Sequence, residues 1–170
     1  SAIVESQRSG WWIWRAPLVG FVAFVIYGIA STAECNRTPF DLVEGESELT
    51  AGFHTEYASI RFAMFFLAEF VNIFLVCSIS ATVFLGGWMP FHIGNLTGFN
   101  RLADLIPPWG WFLLKTMALI FVFMWVRWTF PRLRVDQLMN FEWKFLLPLA
   151  FCTLAVASVL VTFGWYFFPG

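Results

Sequence analysis

Side chains suited to handling protons are concentrated in one segment, between positions 34 and 48. Its carboxylates repel one another and lie in partly apolar sequence that hydrates them poorly, and both effects favour the uptake of protons. Carboxylates this close also titrate as a coupled set. On composition alone, a solvated acidic surface loop is the alternative interpretation. The segment contains Glu34, Asp41, Glu44, Glu46 and Glu48, with Arg37 as the one cation among them.

Two charged residues interrupt runs that are otherwise apolar. Glu69 lies within the run 62–86, and Asn72, three residues further on, shares its helical face and is placed to orient its carboxylate. A carboxylate inside a membrane span is rare; it marks an ion or proton path, or it pairs with a neighbouring helix. Lys115 lies near one end of the run 109–128. It is predicted either to anchor that helix, by extending its ammonium group to the membrane surface, or to relay protons.

Ligands for metals and redox cofactors are sparse. The three cysteines, Cys35, Cys77 and Cys152, are too widely spaced for a zinc or iron–sulfur motif. The two histidines, His54 and His92, lie outside the apolar runs, where a membrane haem would not find them. We therefore predict that this chain binds no metal, haem or iron–sulfur cluster. The sequence has no basic stripe, so nucleic acid is not a predicted partner.

Long apolar runs indicate an integral membrane protein. Hydrophobic residues make up 59% of the 170 residues and charged residues only 12%, whereas a typical soluble domain has about 25% charged residues. A span needs about 20 apolar residues and must satisfy its own backbone hydrogen bonds, so each run is predicted to be a helix. The sequence thus predicts an all-α integral membrane fold in one membrane domain, 1–170, with an acidic loop at 34–60. The four predicted transmembrane helices are 16–33, 62–86, 109–128 and 145–168.

Lysine and arginine orient these spans. The connections near 34–61 and 127–144 carry six of these cations, whereas the two chain ends and the 87–115 connection together carry four. By the positive-inside rule, the acidic loop is predicted to be cytoplasmic and both chain ends to lie on the outer side. The sequence begins at a serine without the layout of a signal peptide, so we expect it to be cut from a longer protein.

Two stretches resemble the signatures of one family. They read AECNRTPFDLVEGESELTAGFHTEY at 33–57 and WVRWTFPRLRVDQLMNFEWKFLLPL at 125–149. With their spacing, they resemble the H subunit of respiratory complex I, the proton-translocating NADH:quinone oxidoreductase. The resemblance implies a protein of eight spans in a bacterial cytoplasmic (inner) membrane, of which this chain supplies the last four. The sequence departs from the family at Cys35, Val43 and Phe53, and none of these departures removes a charge.

The resemblance also implies which residues and partners act. Quinone, either ubiquinone or menaquinone, would be the substrate, and a peripheral-arm subunit with the terminal iron–sulfur cluster would supply electrons. Small adjacent membrane subunits, antiporter-like subunits and membrane lipid would be the other partners. The residues implied to form the proton path are Glu34, Glu44, Glu46, Glu48 and Glu69. Those implied to line the quinone chamber are Arg37, Phe40, Asp41, His54, Arg132, Arg134 and Asp136.

Two other functional classes stay open at the level of sequence. One is the membrane subunit of a related membrane-bound hydrogenase, which needs no quinone. The run ESELTAGFHTEY argues against it. The other is an independent proton or ion transporter with a glutamate gate. No inverted repeat is visible in the sequence, which argues against this second class.

The predicted topology can be tested by cysteine labelling of intact cells. With the three native cysteines replaced, Ser47→Cys should react with a membrane-impermeant maleimide only after the cells are opened, because the acidic loop is predicted to be cytoplasmic. Ser6→Cys, in the N-terminal segment, should react in intact cells and serves as the control. Labelling of position 47 from outside would show that the topology is inverted.

Overall fold

A computed structural model describes residues 2–7, 10–15, 17–35, 37, 39–40, 60–90, 100, 105–131 and 133–163. Every regular element within these ranges is helical. A π-helical turn, Glu142–Leu146, joins the last two helices into one continuous rod. The α-helices are α1 (Ala2–Glu5), α2 (Trp12–Arg15), α3 (Pro17–Glu34), α4 (Ile60–Phe84), α5 (Pro108–Thr129), α6 (Val135–Phe141) and α7 (Leu147–Thr162).

Three stretches of helix in the described part are long and apolar enough to cross a membrane. They are Phe62–Phe84, Pro108–Thr129 and Asp136–Thr162. The apolar part of α3, Val19–Glu34, is shorter. An all-helical chain with such apolar helices is that of a membrane protein, and this confirms the predicted fold class at that level.

Helix α4 lies at the centre of the packing and contacts α1, α2, α3 and α5. Ile73, Val76 and Cys77 lie on its buried face, at the i, i+3, i+4 spacing of an amphipathic helix. Cys35, which follows α3, packs into the same core. Tyr27 of α3 donates its hydroxyl to the backbone oxygen of Val76 at 3.1 Å, so its polar end is satisfied where it meets the core.

The last helix begins at Val135, ten residues before the predicted span 145–168. Its first turn is supported by a side chain, because Gln137 Oε1 accepts a hydrogen bond from the backbone N–H of Arg134 at 3.4 Å. The π-helical turn follows from Pro148, which has no N–H to donate to the carbonyl four residues earlier. The N–H of Leu147 instead donates to Glu142, five residues earlier.

The packing of α4 predicts how it responds to added volume. Ala81 has no exposed surface, so Ala81→Leu must displace packed neighbours and should destabilise the protein by about 1–3 kcal/mol. Ala68 lies on the same helix with its side chain exposed, and Ala68→Leu is the matched control. Thermal unfolding of the detergent-solubilised protein measures the difference. Equal unfolding midpoints for the two variants would contradict this packing.

Candidate functional site

An ion pair joins the segment that follows α3 to the first half of α4. Arg37 Nε lies 2.7 Å from Glu69 Oε1, with the arginine side chain 8% exposed and the glutamate side chain 36% exposed. A backbone turn holds the arginine in place: its N–H donates to Thr32 O at 3.3 Å, and its carbonyl accepts from the N–H of Phe40 at 2.9 Å. The structure therefore gives the intramembrane carboxylate a cation from the acidic segment as its partner.

The guanidinium of Arg37 retains hydrogen-bonding capacity. Its Nε and Nη2 are buried and have no aligned hydrogen-bond partner among the described residues, so the contact with Glu69 is electrostatic. The guanidinium carbon also lies 5.4 Å from the ring centroid of Phe70, which is a cation–π contact. A buried N–H without a partner is costly, and a guanidinium is suited to a planar acceptor such as a carboxylate or a carbonyl group.

An aromatic row lies on α4 beside this pair. The rings of Phe62 and Phe66 are 6.0 Å apart, and those of Phe66 and Phe70 are 5.2 Å apart. The i, i+4 spacing stacks these residues along one face of the helix. Sequence reasoning missed Phe70 as a contact of Arg37, although the four-residue repeat of phenylalanine was a visible signal.

Asn72 does not orient Glu69. Among the described residues, its Nδ2 instead donates a hydrogen bond to Cys35 Sγ at 3.8 Å. Burial raises the pKa of the Cys35 thiol above its ordinary value, and the charge of Glu34 adds to the rise. Cys35 is therefore a protonated, buried thiol that packs between α3 and α4 beside the ion pair.

A mostly apolar cavity of about 740 Å³ lies between α3, α4 and α5. Pro39 and Phe40 line it on the side of the acidic segment, and Leu133 and Gln137 line it from the second signature stretch. The two stretches are hydrogen-bonded directly, because the N–H of Leu133 donates to Pro39 O at 3.1 Å. Residues 94 positions apart in sequence thus meet at one end of the cavity.

The structure brings some of the predicted site residues together. Arg37 and Glu69 are paired, and Phe40 is buried against the cavity. Glu34 is the last residue of α3 and is exposed; Arg134 and Asp136 are exposed at the start of α6. No hydrogen bond or ion pair among the described residues joins these last three to the Arg37–Glu69 pair. The remaining predicted residues lie outside the described part of the chain: Asp41, Glu44, Glu46, Glu48, His54 and Arg132.

The donor set of the site does not suit a metal ion. The described residues contain no group of three or more histidine, cysteine, aspartate or glutamate side chains able to hold one. The arrangement is instead that of a buried cation beside an intramembrane carboxylate.

The contact between Arg37 and Glu69 predicts energetic coupling. In a double-mutant cycle, Arg37→Gln and Glu69→Gln should show an interaction energy of about 0.5–3 kcal/mol, as expected for residues in contact. Arg134→Gln combined with Glu69→Gln is the control cycle and should be additive, because no described contact joins those two residues. Denaturant unfolding in micelles gives both values. Additivity in the first cycle would mean that the ion pair does not form.

Comparison with known proteins identifies the family. The model of the NADH dehydrogenase family matches residues 1–158. The NADH-quinone oxidoreductase H subunit of Bacteroides fragilis is 53% identical over 167 residues, which are 98% of this chain and 47% of that protein. The H subunit of Bacteroides thetaiotaomicron gives the same identity and coverage. The H subunit of Frankia casuarinae is 50% identical over 163 residues, which are 95% of this chain and 34% of that protein.

This chain therefore spans about half the length of its Bacteroides relatives, and its similarity to them extends over nearly all of its own residues. The resemblance seen in the two signature stretches is confirmed by these matches. Because the family model covers residues 1–158 of the 170, the chain belongs to the NADH dehydrogenase family.

Proposed function

We propose that this chain is part of a membrane subunit of a proton-translocating NADH:quinone oxidoreductase. Its role is to form part of the quinone chamber and part of the acidic path that couples quinone reduction to proton translocation. The names of the relatives support this function over the membrane-bound hydrogenase and the glutamate-gated transporter. The chain itself holds no redox centre in this proposal, and electrons arrive from a peripheral-arm partner with the terminal iron–sulfur cluster.

The observation that carries the proposal is the ion pair between an intramembrane carboxylate and the buried guanidinium of Arg37, a residue of the acidic segment. In a site of low dielectric constant, a charge 2.7 Å away interacts strongly with its partner. Protonation of Glu69 therefore weakens its hold on Arg37 and leaves the guanidinium available to other acceptors. A change in the charge of Glu69 therefore changes how strongly Arg37 binds its other acceptors.

The quinone chamber is proposed to include the cavity and the acidic segment 34–48. A volume of about 740 Å³ with apolar walls suits a quinone ring and part of its apolar tail. Phe40 supplies apolar contact from the wall of the cavity. Arg37 lies two residues before Pro39, which also lines the cavity, and its Nη2 is the proposed donor for a quinone carbonyl. Reduction of the quinone, ubiquinone or menaquinone, takes up two electrons and two protons and yields the quinol. The further residues proposed for this chamber are Asp41, His54, Arg132, Arg134 and Asp136.

The carboxylates supply the protons in this mechanism. Each proton that the quinone takes up is replaced from the coupled carboxylates, whose charge state then differs from that before reduction. Glu69 continues this path into the membrane, since a carboxylate within a span faces the protein interior. The residues of the proposed path are Glu34, Glu44, Glu46, Glu48 and Glu69.

The proposed topology completes the assignment. Helix α3, with 18 residues, is about 27 Å long. This is close to the hydrocarbon thickness of about 30 Å, so we assign α3 as a span in addition to the three longer ones, which gives four in all. The acidic connection then faces the cytoplasm, in the inner membrane of a bacterium, and both ends of the chain face outwards. On the cytoplasmic side the peripheral-arm subunits cover the chamber. Small adjacent subunits and antiporter-like subunits are the proposed neighbours within the membrane.

Arg37→Lys tests the proposed role of Arg37. The variant keeps the charge but loses the planar guanidinium, and loss of one charge-assisted hydrogen bond costs about 1.5–3 kcal/mol. The kcat/KM for quinone should therefore fall about tenfold or more, with the complex still assembled. Quinone reductase assays on membranes, with the assembled complex quantified, give this value.

Lys144→Arg is the control for this experiment, because Lys144 is exposed on the π-helical turn. It should leave the kinetics at the parent values. Parent-like kcat and KM for quinone in assembled Arg37→Lys would count against a role of Arg37 at the quinone.

A further inference from the structure

The side chain of Lys115 reaches from α5 to the C-terminal end of α4. Its Nζ donates to three backbone oxygens: Leu85 O at 2.6 Å, Gly87 O at 3.0 Å and Met89 O at 2.6 Å. We call these three oxygens the carbonyl site. The residue is only 4% exposed, so its ammonium does not extend to the surface. The prediction that Lys115 anchors its helix by extending to the membrane surface is therefore wrong.

Trp11 packs beside the ammonium. Nζ lies 4.4 Å from the ring of Trp11, which is a cation–π contact. The close approach depends on Gly86, where φ is +72° and an added Cβ would lie 2.9 Å from Trp11 Cδ1. Gly87 also has a positive φ, +53°, which turns the chain so that alternate carbonyl groups point at one centre.

Neighbouring carbonyl groups at the end of α4 are also taken by a side chain from another segment. Gln7, itself 2% exposed, donates through Nε2 to Thr82 O at 3.1 Å and to Val83 O at 2.8 Å. A helix leaves its last carbonyl groups without partners and carries partial negative charge at that end. A cation and an amide thus donate hydrogen bonds to carbonyl groups at and just beyond the helix end.

The carbonyl site requires the charged form of Lys115. An ammonium group has three N–H donors and no acceptor, which matches three carbonyl oxygens. A neutral amine has two N–H groups and a lone pair, so one carbonyl would lose its donor and face the lone pair. On the described elements around Lys115 the acidic residues are Glu5, whose side chain is exposed, and Glu69, sixteen residues before Leu85. No described contact supplies the ammonium with a carboxylate that would take its proton.

We propose that the carbonyl site is an internal cation-binding site, filled by Lys115 as a fixed charge that joins α4, α5 and the N-terminal segment 2–15. Lys115 is then a positioning residue and does not relay protons. When the side chain is removed, the site should accept a small primary alkylammonium ion. Alkali or alkaline-earth ions should not replace it, because three oxygens are far fewer than the six to eight that such a hard cation as calcium requires.

Chemical rescue tests this proposal in the assembled membrane complex. Lys115→Ala should lower the thermal midpoint by at least about 2 °C, as expected for the loss of more than about 1 kcal/mol in a chain of this size. Millimolar n-propylammonium restores the missing carbon chain and the ammonium group, and it should recover most of that shift. Equal concentrations of 1-propanol or potassium should not. Lys144→Ala removes an exposed lysine and should show neither the loss nor the recovery.

Lys115→Met keeps the length of the side chain without the charge. If the alanine variant assembles poorly, this variant distinguishes a fixed cation from a proton relay. A fixed cation predicts less assembled complex and an unchanged number of protons translocated per quinone reduced. A proton relay predicts normal stability and a lower number, and that result would overturn the proposal. Destabilised Lys115→Ala that n-propylammonium does not restore would overturn it too. The rescue of stability does not depend on the proposed quinone chemistry, so the two proposals can fail separately.

Discussion

The architecture depends on two buried cations, which belong to segments next to the central helix α4 and bind groups towards its two ends. Arg37 pairs with Glu69 towards one end, and Lys115 binds the carbonyl groups beyond the other end. From Glu69 to Leu85 the helix rises about 24 Å, so the two contacts lie almost a membrane thickness apart. A charge is stable in such surroundings only when it is paired or fully hydrogen-bonded. These requirements fix the position of α4 relative to α3, α5 and the N-terminal segment.

The two cations differ in how fully they are satisfied. Lys115 uses all three donors and also contacts an aromatic ring. Arg37 retains a buried Nη2 without a partner in the described residues, and its glutamate is more than a third exposed. A fully satisfied group resists change, whereas an under-satisfied group in a low-dielectric site responds to any new acceptor. The under-satisfied cation belongs to the acidic segment, and the fully satisfied cation binds near the opposite end of α4.

The cavity is lined by residues that follow Arg37 in the first signature stretch and by residues of the second signature stretch. Pro39 and Leu133 are hydrogen-bonded at one end of it, and Phe40 and Gln137 line it from the two stretches. Keeping the contact between the two stretches requires α3, α5 and α6 to hold their relative positions. The fold therefore supplies what neither stretch has alone, an apolar space lined by Pro39 and Phe40 from one stretch and by Leu133 and Gln137 from the other.

The sequence by itself determined the membrane class, the family and the approximate positions of the long helices. Hydropathy is a local property, and a chain in lipid must satisfy its backbone hydrogen bonds within each helix, so the apolar runs predict helices directly. It also pointed to Arg37 and Glu69 as separate candidates. The start of the last helix at Val135 was not predicted, because its first turns are polar and depend on capping.

Only the tertiary structure decided which residues meet. Glu69 pairs with Arg37, Asn72 binds Cys35, and Lys115 is buried against carbonyl groups. Each of these contacts depends on how far a helix is rotated about its axis and how closely two backbones approach. In helices that are apolar on nearly every side, the sequence pattern contains little information about that rotation. The partners of the few charged groups are therefore set by three-dimensional packing.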